Sequence, residues 1–123
     1  PEERAAVLMW NAKIEQQGLW AMADAFRNTA KGLVDKALPG PDPYPQIPEL
    51  AERGRDRVQA FFGRIDAQLA GSPFIAGDFF SVADISALAV VDFAAWLKMA
   101  VPDDADNVAR WYKTVAGRAS AAA

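Results

Sequence analysis

The sequence predicts an all-α fold: a helical bundle around a buried central helix. Three observations carry that expectation. Apolar residues recur at threes and fours along most of the chain, and no run of alternating β-branched residues is long enough for a strand. Residues 82–101 contain only three charges, at Asp84, Asp92 and Lys98, and a helix apolar on nearly every side should be buried on every side. The start of that helix is specified twice. Ser81 is a good N-cap whose partner Asp84 can reach back to the cap's own N–H, and Phe80 and Ile85 are spaced as a hydrophobic staple.

The remaining elements follow in order. A first helix is expected over residues 1–28, where Pro1, Glu2 and Glu3 favour initiation. It carries two apolar stripes, one through Ala6, Trp10 and Ile14 and another through Leu8, Ala12, Leu19 and Phe26, so it should touch more than one neighbour. Gly18 in its middle marks a bend or a close approach. Residues 29–47 lack periodicity, and Pro39, Pro41, Pro43 and Pro45 favour an extended surface connection. Pro48 then opens a second helix with the stripe Ala51, Val58, Phe61, Ile65 and Leu69, and Gly71 ends it. In the link 72–80, Phe74 and Ile75 read as buried and Gly77-Asp78 as a turn. The central helix should run until Pro102 stops it. A last helix, capped by Asp103 or Asp104, buries Val108, Trp111, Val115 and Ala119, and residues 121–123 read as a frayed end.

Composition narrows the chemistry. The 123 residues read as one domain, with 52% hydrophobic residues and a net charge of −3. That balance gives no general attraction to nucleic acid or to an anionic membrane, and Arg53, Arg55 and Arg57 alternate with Glu52 and Asp56 as on a solvated helix face. Two carboxylates inside residues 82–101 argue against a membrane span. There is no Cys and no His. Without them the usual zinc, iron and copper sites and every Ser-His or Cys-His nucleophile pair are excluded, so no metal is expected. The missing Cys suits a reducing, cytoplasmic setting.

The stretch Phe74-Ile75-Ala76-Gly77-Asp78-Phe79-Phe80-Ser81-Val82-Ala83-Asp84-Ile85 resembles the entry to a buried helix in the C-terminal helical domain of soluble glutathione transferases. Arg110-Trp111-Tyr112 followed by Arg118-Ala119-Ser120 is similar to that family's last helix, with Ala119 where relatives generally carry Pro. Glu3-Arg4-Ala5 and Trp10-Asn11 resemble bacterial members. The resemblance implies a homodimeric enzyme joining glutathione to small apolar electrophiles. It also implies that a thioredoxin-like domain preceding Pro1 binds glutathione and supplies the residue that stabilises the thiolate. This chain would then contribute a substrate wall and subunit contacts, with no catalytic residue of its own. Other readings are a non-catalytic interaction module and a glutathione-dependent reductase or isomerase of the same family.

In that family the electrophile pocket is lined by the first helix of this region. Here Trp10, Lys13, Ile14 and Gln17 fall at i, i+3, i+4 and i+7, on one helical face. Phe93 and Trp96 on the central helix are placed to reach the pocket floor, while Trp20 and Trp111 read as core or interface. Asp84 reads as a structural capping residue with Ser81, and Asp92 has no partner evident from sequence.

Overall fold

A computed structural model describes residues 1–118, and among these the secondary structure is helical, with two isolated β-bridges and no strand. The expected first helix forms as α1 (Glu2–Lys13), a π-helical turn (Ile14–Leu19) and α2 (Trp20–Arg27), and the residues at each junction keep right-handed helical angles. It is one rod with a widened middle. Gly18 lies in that middle, where an added Cβ would come within 3.1 Å of the Phe61 ring. The close approach read from Gly18 is therefore real.

Chain 28–47 lies on the surface and is fastened from beneath. Arg27 donates from Nε to the Ala37 carbonyl and from a terminal nitrogen to the Lys36 carbonyl, each at 2.9 Å. Gln46 donates to the carbonyls of Arg27 and Ala30, and Asn28 accepts the Ile47 N–H at 3.0 Å. Helix α3 (Pro48–Ala70) follows with Pro48 in its first turn, and every residue of its expected stripe is buried. Its tightest contact is with α2. A Cβ on Gly54 would stand 2.5 Å from the Ala21 carbonyl oxygen and 2.8 Å from the Ala25 nitrogen, so the two backbones meet where only hydrogen fits.

Helix α4 (Val82–Trp96) starts as its sequence specifies. Ser81 accepts the Ala83 N–H at 3.2 Å and the Asp84 carboxylate accepts the Ser81 N–H at 2.9 Å. The staple differs: Phe80 packs edge-on against Phe74, centroids 6.0 Å apart, while Ile85 stays half exposed. The helix also ends five residues early, before Pro102 can act. Met99 N–H bonds to the Ala94 carbonyl at 2.7 Å and Lys98 N–H to the Ala95 carbonyl at 3.0 Å, with Lys98 at φ 64°. That is a Schellman termination with lysine in the position usually held by glycine, and the buried Met99 anchors it.

Burial on every side is corrected as well. Ala83, Asp84, Ala87, Val90, Val91 and Ala94 face the core, but Val82, Ile85, Ala89, Phe93 and Trp96 form an outward apolar stripe spaced three, four, four and three. Within this chain α4 is central on one side only.

Helix α5 (Asp106–Ala116) corrects a further expectation. Neither Asp103 nor Asp104 caps it. Asp66 of α3 does, accepting the N–H groups of Asn107 and Val108 at 3.0 Å each. The Arg110-Trp111-Tyr112 motif then ties α5 to the rest. Arg110 donates to the Leu69 and Ser72 carbonyls, Trp111 Nε1 donates to Asp84 Oδ1 at 2.8 Å, and Tyr112 donates to Asp92 Oδ1 at 2.6 Å. Trp111 is fully buried and Trp20 largely exposed. The expectations for Ala119 and for residues 121–123 lie outside the described residues.

Asp84 is thus more than a helix cap. It is fully buried, and besides the Ser81 N–H it accepts the Ile75 N–H at 3.0 Å and the Trp111 indole at 2.8 Å. One carboxylate joins the 72–80 link, the start of α4 and the middle of α5. Burial of a charge is tolerable only when its oxygens are met this fully.

Candidate functional site

Of the four residues expected on one face of the first helix, three remain at the surface. Trp10 is half-buried against the core, with Lys13 Nζ 4.6 Å from its ring centroid in a cation–π contact. Gln17 is half-buried, its Oε1 3.4 Å from an Arg64 guanidinium nitrogen. Ile14 is not a surface residue: it opens the π turn and is fully buried in the core, so it offers this face no wall. Helical spacing put Ile14 on the face of Trp10 but could not show that the core covers this part of it.

Phe93 and Trp96 lie at the far end of the rod. Phe93 is 40% exposed and packs edge-on against Phe26 of α2 at 6.0 Å, and Trp96, 72% exposed, lies 5.6 Å from Phe93. Between α2 and α4 is a hollow of about 410 Å³ lined by Leu19, Met22, Ala23, Phe26, Ala89 and Phe93, with Arg27 at its rim. Leu19 and Phe26 belong to the second apolar stripe of the first helix, which was legible as a stripe but not as the wall of a hollow. The set expected from sequence therefore divides into a Trp10–Lys13–Gln17 patch and a Phe93–Trp96 patch.

Arg27 is the one ionisable residue lining the hollow, and its guanidinium is engaged by the Ala37 and Lys36 carbonyls. Among the described residues no group of three or more His, Cys, Asp or Glu side chains could hold a metal ion, and no helix is long and apolar enough to cross a membrane. The outward stripe of α4 continues the hollow toward Ile85 and Val82. Asn11 and Ser86, bonded at 2.7 Å, fix α1 beside it.

Comparison with known proteins agrees with the architecture. Residues 23–119 match the family described as Glutathione S-transferase, C-terminal domain. Glutathione S-transferase 2 of Saccharomyces cerevisiae is 32% identical over 121 residues, which cover 98% of this chain and 49% of that protein. The crystal structure of Gtt2 from the same yeast superposes with a TM-score of 0.87 at 31% identity, covering 99% of this chain and 56% of that one. A glutathione S-transferase domain-containing protein of Marinobacter aquaeolei gives 0.86 at 31% identity, over 98% and 57% of the respective chains. A class Gtt2 glutathione S-transferase of Vibrio parahaemolyticus gives 0.78 at 33%, over 98% and 52%. The chain thus spans about half the length of the relatives it matches.

Proposed function

The chain belongs to the glutathione S-transferase family through its C-terminal domain, and we propose that it forms the electrophile-binding, subunit-pairing half of a cytoplasmic detoxifying enzyme. In this reading a glutathione-binding domain of the same polypeptide supplies the co-substrate and the residue that stabilises its thiolate. The thiolate attacks an electrophilic carbon of a small apolar substrate, forming a C–S bond while a leaving group departs with its electron pair. This domain lowers the cost of that encounter by taking the apolar body of the substrate out of water.

The observation that carries the reading is the outward apolar surface of α4 with its hollow against α2. A stripe containing Ile85 at 50% exposure, Phe93 and Trp96 is an unusual face to leave to water, and it suits a surface completed by another domain or by substrate. The cation–π pair of Trp10 and Lys13 supports a separate aromatic patch on the first helix as a further part of the wall. Leu8, Met9 and Trp20 project from the first rod and support pairing with a second subunit.

The test is glutathione conjugation by the enzyme containing this domain, with a chlorodinitrobenzene as electrophile. Replacing Trp10, Gln17, Phe93 and Trp96 by Ala leaves the fully buried Ile14 in place, and circular dichroism of the variant checks that the fold is kept. The KM for the electrophile is expected to rise about tenfold, since lost apolar contacts are worth one to a few kcal/mol, while the KM for glutathione stays within about twofold. Unchanged electrophile kinetics would remove this surface from the substrate site.

A further inference from the structure

A second groove lies between α4 and α5, on residues that the substrate wall does not use. It has a volume of about 740 Å³, and the buried Val91 and Val108 contribute to its lining. It exists because small side chains, Ala95 and Ala109 among them, stand where larger ones would close the gap. Beside this apolar lining stand Asp92, Asp103, Lys113 and Tyr112. Such a volume with few polar groups is of the size that holds a small ligand.

Three features fix the ligand's chemistry. Asp92 and Asp103 against Lys113 leave one excess negative charge in the lining. Tyr112 spends its only hydroxyl proton on Asp92 Oδ1 at 2.6 Å, so its phenol oxygen is left to act as an acceptor. Among the described residues that is also the one hydrogen bond Asp92 makes, which leaves its second oxygen facing solvent or ligand. Carboxylate, acceptor oxygen and aromatic ring together select positive charge, and the valines and alanines select an apolar body.

We propose that the α4–α5 groove binds small organic cations, an ammonium group with an aromatic or branched apolar body. The ammonium sits beside Asp92 and the Tyr112 ring, and the apolar body lies over Val91 and Val108. Anions are refused by the two aspartates. This site is independent of the glutathione reading: it shares no lining residue with the α2–α4 hollow, so either can fail alone.

The experiment is an NMR titration of the ¹⁵N-labelled protein containing this domain with benzyltrimethylammonium, whose charge does not change with pH. Benzenesulfonate and benzyl alcohol serve as anionic and neutral counterparts. Saturable shifts confined to α4, α5 and the segment 101–105 are expected with the cation, and none that saturate with the sulfonate. Asp92→Asn should weaken the cation about fivefold, as loss of one partly exposed charge contact does. Ala109→Leu fills the groove from an exposed position and should abolish saturation; Ala95→Leu does the same from the opposite wall if the first variant misfolds. Equal binding of the alcohol or the sulfonate, shifts scattered over the chain, or no effect of Asp92→Asn would each overturn the proposal.

Discussion

Replacing Asp84 with Asn keeps the side chain's shape and removes its charge, which isolates what the carboxylate does. Oδ1 accepts two N–H groups, from Ile75 at 3.0 Å and Trp111 at 2.8 Å, and Oδ2 accepts a third, from Ser81 at 2.9 Å. An amide has one oxygen. Whichever way it turns, its NH₂ faces at least one of these donors, and a buried donor left without an acceptor costs about 1–3 kcal/mol. The bonds that survive lose their charge assistance, about 1 kcal/mol each, because bonds to ions are worth about 1.5–3 and neutral ones about 0.5–1.5 kcal/mol. Against this, an amide is cheaper to desolvate than a carboxylate. The net expectation is a loss of about 3 kcal/mol, a large share of a domain's usual margin of about 5–15 kcal/mol. Urea unfolding followed by circular dichroism should show a lower midpoint with an unchanged slope. A double-mutant cycle with Trp111→Phe should return a coupling of about 1–2 kcal/mol, the worth of one charge-assisted bond. A loss below about 1 kcal/mol, or no coupling, would refute the view that this carboxylate holds three segments together.

Gly54→Ala should lower Tm by about 10 °C, since the new methyl meets the backbone of Ala21 and Ala25 and α2 must move away from α3. In an uncrowded helix the same change would stabilise by up to about 1 kcal/mol, so the sign alone decides whether the close approach is real. Lys98→Gly should stabilise by about 0.5 kcal/mol, relief of the left-handed conformation outweighing the entropy of the unfolded chain, as measured by thermal unfolding. The Tyr112 phenol has its pKa raised, first by its hydrogen bond to Asp92, then by burial and by the Asp92 charge. In a Tyr44→Phe background, ultraviolet titration of Asp92→Asn should show Tyr112 ionising at lower pH than in the parent. Because the folded pKa is the higher one, this interaction's contribution to stability is complete below the ordinary phenol range and is lost as pH rises through the folded value. The parent should therefore lose more stability than the variant over that alkaline window.

Features set within a few residues of one another were legible in the sequence. The Ser81–Asp84 box, Pro48 at the head of α3 and the α3 stripe are local patterns, and each formed as expected. Features that join distant segments were not. The carboxylate that caps α5 comes from Asp66, 41 residues away from Asn107, so two nearby aspartates were the natural but mistaken choice. The end of α4 misled for a different reason: Pro102 is a visible stop, whereas a Schellman turn completed by Lys98 and anchored by Met99 has no glycine to announce it.

The same distinction governs the candidate site. Composition showed that α4 lacks charge but could not show which side lacks neighbours, because an apolar residue looks alike whether it meets core, another domain or water. The stripe Val82, Ile85, Ala89, Phe93, Trp96 was therefore hidden inside a run that read as uniformly buried. Ile14 was misplaced in the opposite sense, since spacing put it on the face of Trp10 without showing that the core covers that position. What distinguishes the outward stripe from the inner one is size. Inward positions are mainly Ala and Val, which let α4 sit close to its neighbours, while the outward positions include Ile, Phe and Trp. A helix packed only within this domain would put its largest apolar side chains inside, where burial is worth most per residue. That α4 puts Phe93 and Trp96 outside is the physical reason for reading this surface as one that something else completes.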